Sequence, residues 1–243
     1  MQQELVARNW RELIRPRRLE ADEANATDRY ARFWCEPLER GFGQTLGNSL
    51  RRVLLSSLQG AAITSVKISG VLHEFSTIPG VLEDVADIVL NLKEVRLRMH
   101  APGPRLLRVR RSGAGILTAG ELVSDDSSIE VMNPEHKIAT LSADAEMDME
   151  LTVDLGKGYR LAEGNKSEEM PIGTIPIDSI FSPVRRVNYT VTPARVGRET
   201  DFDRLNIEVW TDGAIAPVDA VAYAAKITLF PYTTLFRSRK SVV

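Results

Sequence analysis

Two glycine-rich strings are the residues of this sequence whose types and spacing come nearest to a ligand site. The string Gly41-Phe-Gly43-Gln-Thr-Leu-Gly47 shares part of the pattern of loops whose backbone N–H groups hold a phosphate. Its last glycine comes one residue too late for the dinucleotide pattern, and no Lys-Ser/Thr pair follows it. Gly156-Lys157-Gly158 also lacks the full spacing of a nucleotide loop. We predict that both strings make turns, and that the first lets a helix start close to its neighbours.

Residues for metal binding or catalysis are sparse. The chain has one cysteine, Cys35, and three histidines far apart in sequence, so no zinc cluster is visible. No tight run of alternating aspartates is present to hold the two metal ions of a phosphoryl-transfer enzyme. Spacing does not exclude a Ser/His/Asp triad, but no nucleophile-elbow motif supports one. We predict no active site, no metal and no cofactor, and an enzyme with an unrecognised triad stays open as an alternative.

Arg51 and Arg52 allow two interpretations. The pair could clamp a phosphate, or it could consist of solvated helix charges. Leu55 lies near Arg52, outside the core stripe of the same helix, and an arginine with a neighbouring leucine is the composition of a protein-binding patch. We therefore predict that this helix binds another protein through Arg52 and Leu55.

An amphipathic helix that follows Gly43 must position these residues. At about 100° per residue, its apolar residues fall on one stripe, while Asn48, Arg52 and Leu55 project from nearly the opposite side. The apolar stripe consists of Leu46, Leu50, Val53, Leu54 and Leu58.

The rest of the chain combines strand patterns with two more helices. A second helix ends in Lys93, where the helix dipole favours a cation, and residues 95–159 have the turn spacing of a β-rich unit. A third helix begins at Pro217, with Val218, Val221, Ala222 and Ala225 on its apolar side. Because a proline inside a helix is costly, Pro231 predicts that this helix ends near residue 229 or 230.

Composition limits the classes of function. Of 243 residues, 43% are hydrophobic, and 31 Lys and Arg face 33 Asp and Glu, a net charge of -2 that gives no general attraction to nucleic acid. A stand-alone nucleic-acid-binding α+β protein therefore stays an alternative supported only by local basic runs such as residues 105–111. No apolar run approaches the roughly 18 residues of a membrane-spanning helix. We expect a soluble, cytoplasmic protein.

Longer stretches resemble the bacterial RNA polymerase alpha subunits. The main stretch is Glu36-Pro-Leu-Glu-Arg-Gly-Phe-Gly-Gln-Thr-Leu-Gly-Asn-Ser-Leu-Arg-Arg-Val-Leu-Leu-Ser-Ser57. The resemblance continues in residues 70–77, 80–93, 171–173, 182–184 and 195–196. The motifs follow one another in order between Glu36 and Lys226, which short chance matches do not do.

The resemblance implies an α+β fold in which both chain ends form a dimerisation subdomain with a β-rich subdomain inserted between them. On this sequence, residues 1–59 and 180–226 would form the dimerisation subdomain, and residues 60–179 the insertion. Residues 227–243 depart from the family pattern, and we hypothesise that they are a foreign tail, with a lineage-specific terminus as the alternative. Family members usually continue into a DNA-binding domain, for which a chain ending at Val243 leaves no room.

The resemblance also implies a function. The chain would homodimerise and serve as the assembly platform for the beta and beta-prime subunits, as a non-catalytic part of a nucleotidyltransferase complex that meets DNA only indirectly. The residues expected at the dimer interface are Leu46, Leu50, Val53, Leu54, Val221 and Ala225. Those expected to bind a large subunit are Arg52 and Leu55, followed by Asn48, Arg51, Lys93, Ser182 and Pro183.

Overall fold

The computed structural model describes residues 14, 16, 18–124, 127–167, 170–197 and 199–237. The chain divides into two compact units. The first unit consists of Met1–Leu58, Val184–Thr211 and Ile215–Val243, and the second of Gln59–Pro183 with Asp212–Ala214. The stretch predicted as an insertion, residues 60–179, falls inside the second unit. The predicted α+β class is confirmed, with more strand than helix.

The elements follow one another in this order: β1 (Glu20–Ala21), β2 (Tyr30–Glu39), α1 (Phe42–Ser56), β3 (Gln59–Ile68), α2 (Val85–Lys93), β4 (Leu97–Met99), β5 (Arg105–Ser112), β6 (Gly115–Thr118), a 3₁₀ turn (Ala119–Glu121), β7 (Val123–Ser124), β8 (Ile129–Val131), β9 (Lys137–Leu141), β10 (Glu146–Lys157), β11 (Tyr159–Arg160), α3 (Ala162–Asn165), β12 (Thr174–Pro176), β13 (Ser179–Ile180), β14 (Val184–Val196), β15 (Glu199–Thr211) and α4 (Pro217–Arg237).

The first unit is an antiparallel sheet in the order β1-β2-β15-β14, with α1 on one face and α4 packed against α1. Alternation along β2 turns Ala31 and Phe33 toward the helices, where each is 2% exposed. Because the two helices cover one face, the buried residues of the strands lie mainly on that face. The core of this unit consists of Ala31, Phe33, Leu38, Leu54, Leu58, Val184, Val187, Leu205, Ile207, Val209, Ala220, Val221 and Ala224.

The third predicted helix, α4, begins at Pro217, as expected, but the predicted end near residue 229 is wrong. The helical backbone continues through Pro231 to Arg237. A proline in a helix removes one N–H···O=C bond, yet its fixed φ is itself helical, so the ladder resumes after it. Of the anomalous stretch 227–243, residues 238–243 lie outside the described residues.

The second unit is built around an antiparallel sheet in the order β7-β5-β10-β3-β4-β8, with β12 also paired to β3. Two smaller ladders, β11–β13 and β6–β9, complete it. Helix α2 starts where the Asp84 carboxylate accepts a hydrogen bond from the Asp87 N–H at 2.7 Å, and it buries Val85, Ile88 and Leu92. None of the helices in the described part of the chain is long and apolar enough to cross a membrane.

Candidate functional site

Two glycines form the contact between helix α1 and its sheet. A Cβ atom at Gly47 would sit 2.5 Å from Cδ2 of Tyr189 and 2.9 Å from Cδ1 of Leu205, and one at Gly43 would sit 2.8 Å from Cγ1 of Val191. No side chain fits there, so the helix backbone approaches β14 and β15 directly. The expectation that these glycines bring a helix close to its neighbours is confirmed, and the glycines, together with Leu54, form the buried face of the helix.

At the N-terminal end of α1, backbone N–H groups bind a carboxylate of the same chain. Gly41 takes a positive φ of 86°, and the Asp203 carboxylate accepts hydrogen bonds from the Gly41 N–H at 2.8 Å and the Gly43 N–H at 3.1 Å. These are the donors that a phosphate-binding loop would offer to a ligand. Because Asp203 of the same chain already binds them, the glycine string stabilises the fold.

The opposite side of α1 presents a polar surface. Asn48, Arg51 and Arg52 are exposed, and Asn48 and Arg52 lie one turn apart. Within the described residues neither guanidinium has an ion-pair partner. Leu55 differs from the prediction, because it is half-buried and packs against the core of the first unit. At three residues from Arg52 it stands on the border between the buried and the exposed face, so only part of it adds to this surface, which we call the α1 polar face (Asn48, Arg51, Arg52 and the edge of Leu55).

The side chains predicted for a dimer interface fall into two groups. Leu46, Leu50, Val53 and Ala225 are half-buried and keep part of their surface open. Leu54 and Val221 are only 0% and 3% exposed. These two predictions need correction, because both side chains fill the space between the helices and the sheet of their own chain and have no surface left for a second copy.

Helix α4 exposes Val218 and Ala222, two of the four residues predicted for its apolar side, and it exposes Leu229 as well. Val218 is 58% exposed, Leu229 is 62% exposed, and Ala222 is exposed as well. Together with Ala225 they recur at intervals of four, three and four residues, the spacing of a helix–helix seam. The inner side is instead formed by Ala220, Val221 and Ala224. Ala220 and Ala224 are small residues one turn apart, and this pattern in the sequence indicates a close contact within the chain. We call Val218, Ala222, Ala225 and Leu229 the α4 stripe.

Lys93 is bound within its own chain. Its Nζ lies 3.1 Å from Oδ2 of Asp178, and the two side chains are 25% and 29% exposed. The other carboxylate oxygen of Asp178 accepts a hydrogen bond from the Ala162 N–H at 2.7 Å. This backbone bond and the Lys93 ammonium lower the pKa of Asp178, with a further contribution from Tyr159. Lys93 thus anchors α2 to the loop before β13, and its role toward a partner stays a prediction.

The lowered pKa of Asp178 predicts a pH-dependent contribution to stability. A carboxylate whose pKa is lower in the folded chain stabilises it above the unfolded-state pKa, and this stabilisation is lost as the pH falls through the folded-state pKa. We expect Asp178→Asn to lower the free energy of unfolding by about 1 kcal/mol at pH 7 and the difference from wild type to shrink below about pH 4. Urea titrations between neutral and acidic pH measure this. The exposed Asp144→Asn is the control, and a deficit for Asp178→Asn that persists unchanged in acid contradicts the assignment.

Ser182 and Pro183 belong to the second unit. Pro183 is buried, so the prediction that it contacts a large subunit needs correction, and its carbonyl accepts a hydrogen bond from the Asp212 N–H at 2.9 Å. A Cβ atom on Gly60 would come within 3.4 Å of the Pro183 ring, which shows how closely the proline packs. Ser182 is half-buried and stays a predicted contact.

The basic run 105–111, which favoured a nucleic-acid-binding alternative, has three arginines paired with glutamates of β10 and of the 3₁₀ turn. Arg108 lies 3.0 Å from Glu150, Arg110 lies 2.9 Å from Glu146, and Arg111 pairs with Glu121. The two pairs with β10 are cross-strand pairs, which stabilise an exposed sheet face. The run therefore offers little uncompensated positive charge for phosphates.

Comparison with known proteins relates the chain to one family. The family described as RNA polymerase Rpb3/RpoA insert domain matches residues 66–182. A DNA-directed RNA polymerase subunit alpha from Geobacter metallireducens is 59% identical over 90% of this chain and 64% of its own length. The corresponding proteins of Desulfosudis oleivorans and Pelobacter propionicus are 56% and 57% identical, over 93% and 90% of this chain and 66% and 64% of their own lengths. The chain thus spans just under two thirds of the length of these relatives.

Proposed function

This chain belongs to the family of bacterial DNA-directed RNA polymerase alpha subunits, and on that premise we propose that it is a non-catalytic assembly platform of the polymerase. It forms a homodimer, and the dimer binds the beta and beta-prime subunits that build the catalytic cleft. It contacts DNA only through the complex and acts in the cytoplasm.

The observation that supports this proposal best is the division of the α1–α4 pair into separate surfaces. On one side of the pair, α1 packs against the sheet of its own chain through Gly43, Gly47 and Leu54. The α4 stripe and the half-buried Leu46, Leu50 and Val53 leave apolar surface open on helices of the same unit. Apolar side chains with seam spacing are stabilised when a second helix covers them, so this surface suits a second copy of the chain.

The α1 polar face suits a different kind of partner. Its arginines are exposed and have no acidic partner within the described chain. Arginine is enriched in the energetically dominant positions of protein interfaces, since its planar guanidinium binds carboxylates and packs on apolar surface. In a symmetric dimer this face occurs twice, and the copies become inequivalent once a first large subunit is bound. Two different large subunits can therefore use the same residues in turn.

Val218→Asp tests the dimer. Residue 218 is the second residue of α4, where a negative charge is favourable for the helix dipole, so the single chain should keep its stability. In the dimer the carboxylate would be buried in an apolar seam, and we expect the dimer dissociation constant to rise at least about tenfold. Sedimentation equilibrium over a range of concentrations measures it.

The control for this test is Val123→Asp, which places the same charge on a valine of the second unit that is 65% exposed. It should leave the dissociation constant unchanged. A wild-type chain that stays monomeric at all concentrations, or a Val218→Asp chain that dimerises like wild type, contradicts the proposed interface.

A further inference from the structure

Strand β14 is an edge strand. It pairs with β15 on one side, and no other strand among the described residues pairs with its second side. The strand has 13 residues, Val184–Val196. Every second residue of an edge strand directs its N–H and C=O groups to the open side, where another extended chain can bind them.

The middle of this edge is regular and uncharged. Shifts of register with β15 occur only near the two ends, between Val184 and Arg186 and between Ala194 and Val196. Residues 187–192 have the sequence Val-Asn-Tyr-Thr-Val-Thr, in which β-branched and aromatic residues favour an extended chain. Tyr189 and Val191 face α1, so the helix covers one face of the strand and leaves its backbone edge open.

Proteins usually protect such an edge with charges, prolines or bulges along its length. On β14 these features are confined to the ends: Arg185 and Arg186 precede the middle, and Pro193 and Arg195 follow it. Arg185 and Arg195 are both exposed. The edge is therefore an uncharged strip of backbone donors and acceptors between two positive ends.

The positive charges at the two ends of β14 favour some binding partners of this edge over others. Two copies of β14 paired antiparallel about Thr190 would place Arg185 of each copy opposite Arg195 of the other, and like charges directly opposite destabilise a pair of strands. A segment with carboxylates at both ends would instead place opposite charges there. A second copy of this chain is thus disfavoured, and an acidic-ended partner is favoured.

We propose that the β14 edge accepts, by strand addition, an extended segment of a partner protein that is uncharged in its middle and acidic at both ends. The main-chain hydrogen bonds along residues 187–192 supply the affinity, and Arg185 and Arg195 supply the specificity. The added strand becomes a fifth strand of the sheet in the first unit. This surface is distinct from the α1 polar face and the α4 stripe, so it does not depend on the proposed polymerase role.

A charge-swap experiment on the whole chain tests the proposal. The probes are two synthetic peptides with the same alternating Val-Thr centre, one with two glutamates at each end and the other with two lysines at each end. Binding is measured by calorimetry, and the bound edge is located by amide hydrogen exchange. We expect the glutamate-ended peptide to bind wild type about threefold to tenfold more tightly than the lysine-ended one. It should also slow exchange at residues 187–192.

The double variant Arg185→Glu/Arg195→Glu should reverse this preference. Arg32→Glu should preserve it, because Arg32 is an exposed arginine on β2, which β15 separates from β14. Three results overturn the proposal: neither peptide binds saturably, binding leaves exchange at residues 187–192 unchanged, or the charge-swapped variant keeps the preference of wild type. Protection of these amides that grows with the concentration of the chain alone would identify a second copy as the occupant and would also overturn it.

Discussion

Gly47→Val is expected to lower the free energy of unfolding of the first unit by about 3 kcal/mol. The new Cβ atom would lie 2.5 Å from the Tyr189 ring and 2.9 Å from Leu205, and the Tyr189 ring cannot move far, because its hydroxyl accepts a hydrogen bond from Gln44 Nε2 at 2.8 Å. The helix must therefore lift from β14 and β15. Since α1 carries the α1 polar face and part of the proposed dimer surface, dimerisation and partner binding should be lost together with stability.

Thr45→Val is the matched control, because it introduces the same β-branched side chain at an exposed position of the same helix. It should cost less than about 1 kcal/mol, mainly through helix propensity and the lost hydrogen bond from its hydroxyl to the Gly41 carbonyl. Thermal and urea unfolding compare the two variants. Equal stability of Gly47→Val and Thr45→Val would mean that the close contact between helix and sheet does not position α1.

Arg52→Ala should weaken binding of a large subunit by about 30-fold or more while the dimer stays folded. Arg52 is exposed and makes no ion pair within the described chain, so its removal opens no cavity and leaves no buried charge without a partner. An exposed arginine has this pattern of effects only when its contacts lie in another protein. The measurement is the amount of beta subunit retained by immobilised chain, with the dimer checked by size-exclusion chromatography.

The control for Arg52→Ala is Arg32→Ala, an exposed arginine of the same unit that lies on β2. It removes the same charge and should retain the beta subunit like wild type. Equal retention by both variants contradicts the assignment of Arg52, and so does an Arg52→Ala chain that elutes as an unfolded or monomeric species.

The sequence predicted the structure well where each face of a helix or strand meets a single environment, either the core or the solvent. Helix α2 ends at Lys93, as predicted, because a cation in the last turn is favourable for the helix dipole. The family resemblance was equally direct, since long ordered motifs depend on residue identity and need no knowledge of the fold. Asn48, Arg51 and Arg52 are exposed, as expected for polar residues on the side of α1 that faces away from the sheet.

The sequence was a poor guide where hydrophobic side chains have two possible partners. Periodicity marks Leu54 and Val221 as apolar but does not say whether their own sheet or a second copy covers them, and the structure buries both within the chain. Periodicity also ranks leucine above glycine, so it did not show that Gly43 and Gly47 form the contact face of α1. Lys93 was expected at a large-subunit contact from the family resemblance, and its place in the last turn of α2 did not indicate its ion pair with Asp178, which is 85 residues away.

The most direct test of the assembly role is co-expression of this chain with the beta and beta-prime subunits of a close relative. Purification through a tag on the beta-prime subunit, followed by native mass spectrometry, gives the composition of the complex. The proposal predicts an assembly with two copies of this chain for each beta and each beta-prime subunit, and its loss when Arg52→Ala replaces wild type. Large subunits that purify without this chain, or a complex that contains a single copy of it, would contradict the proposal.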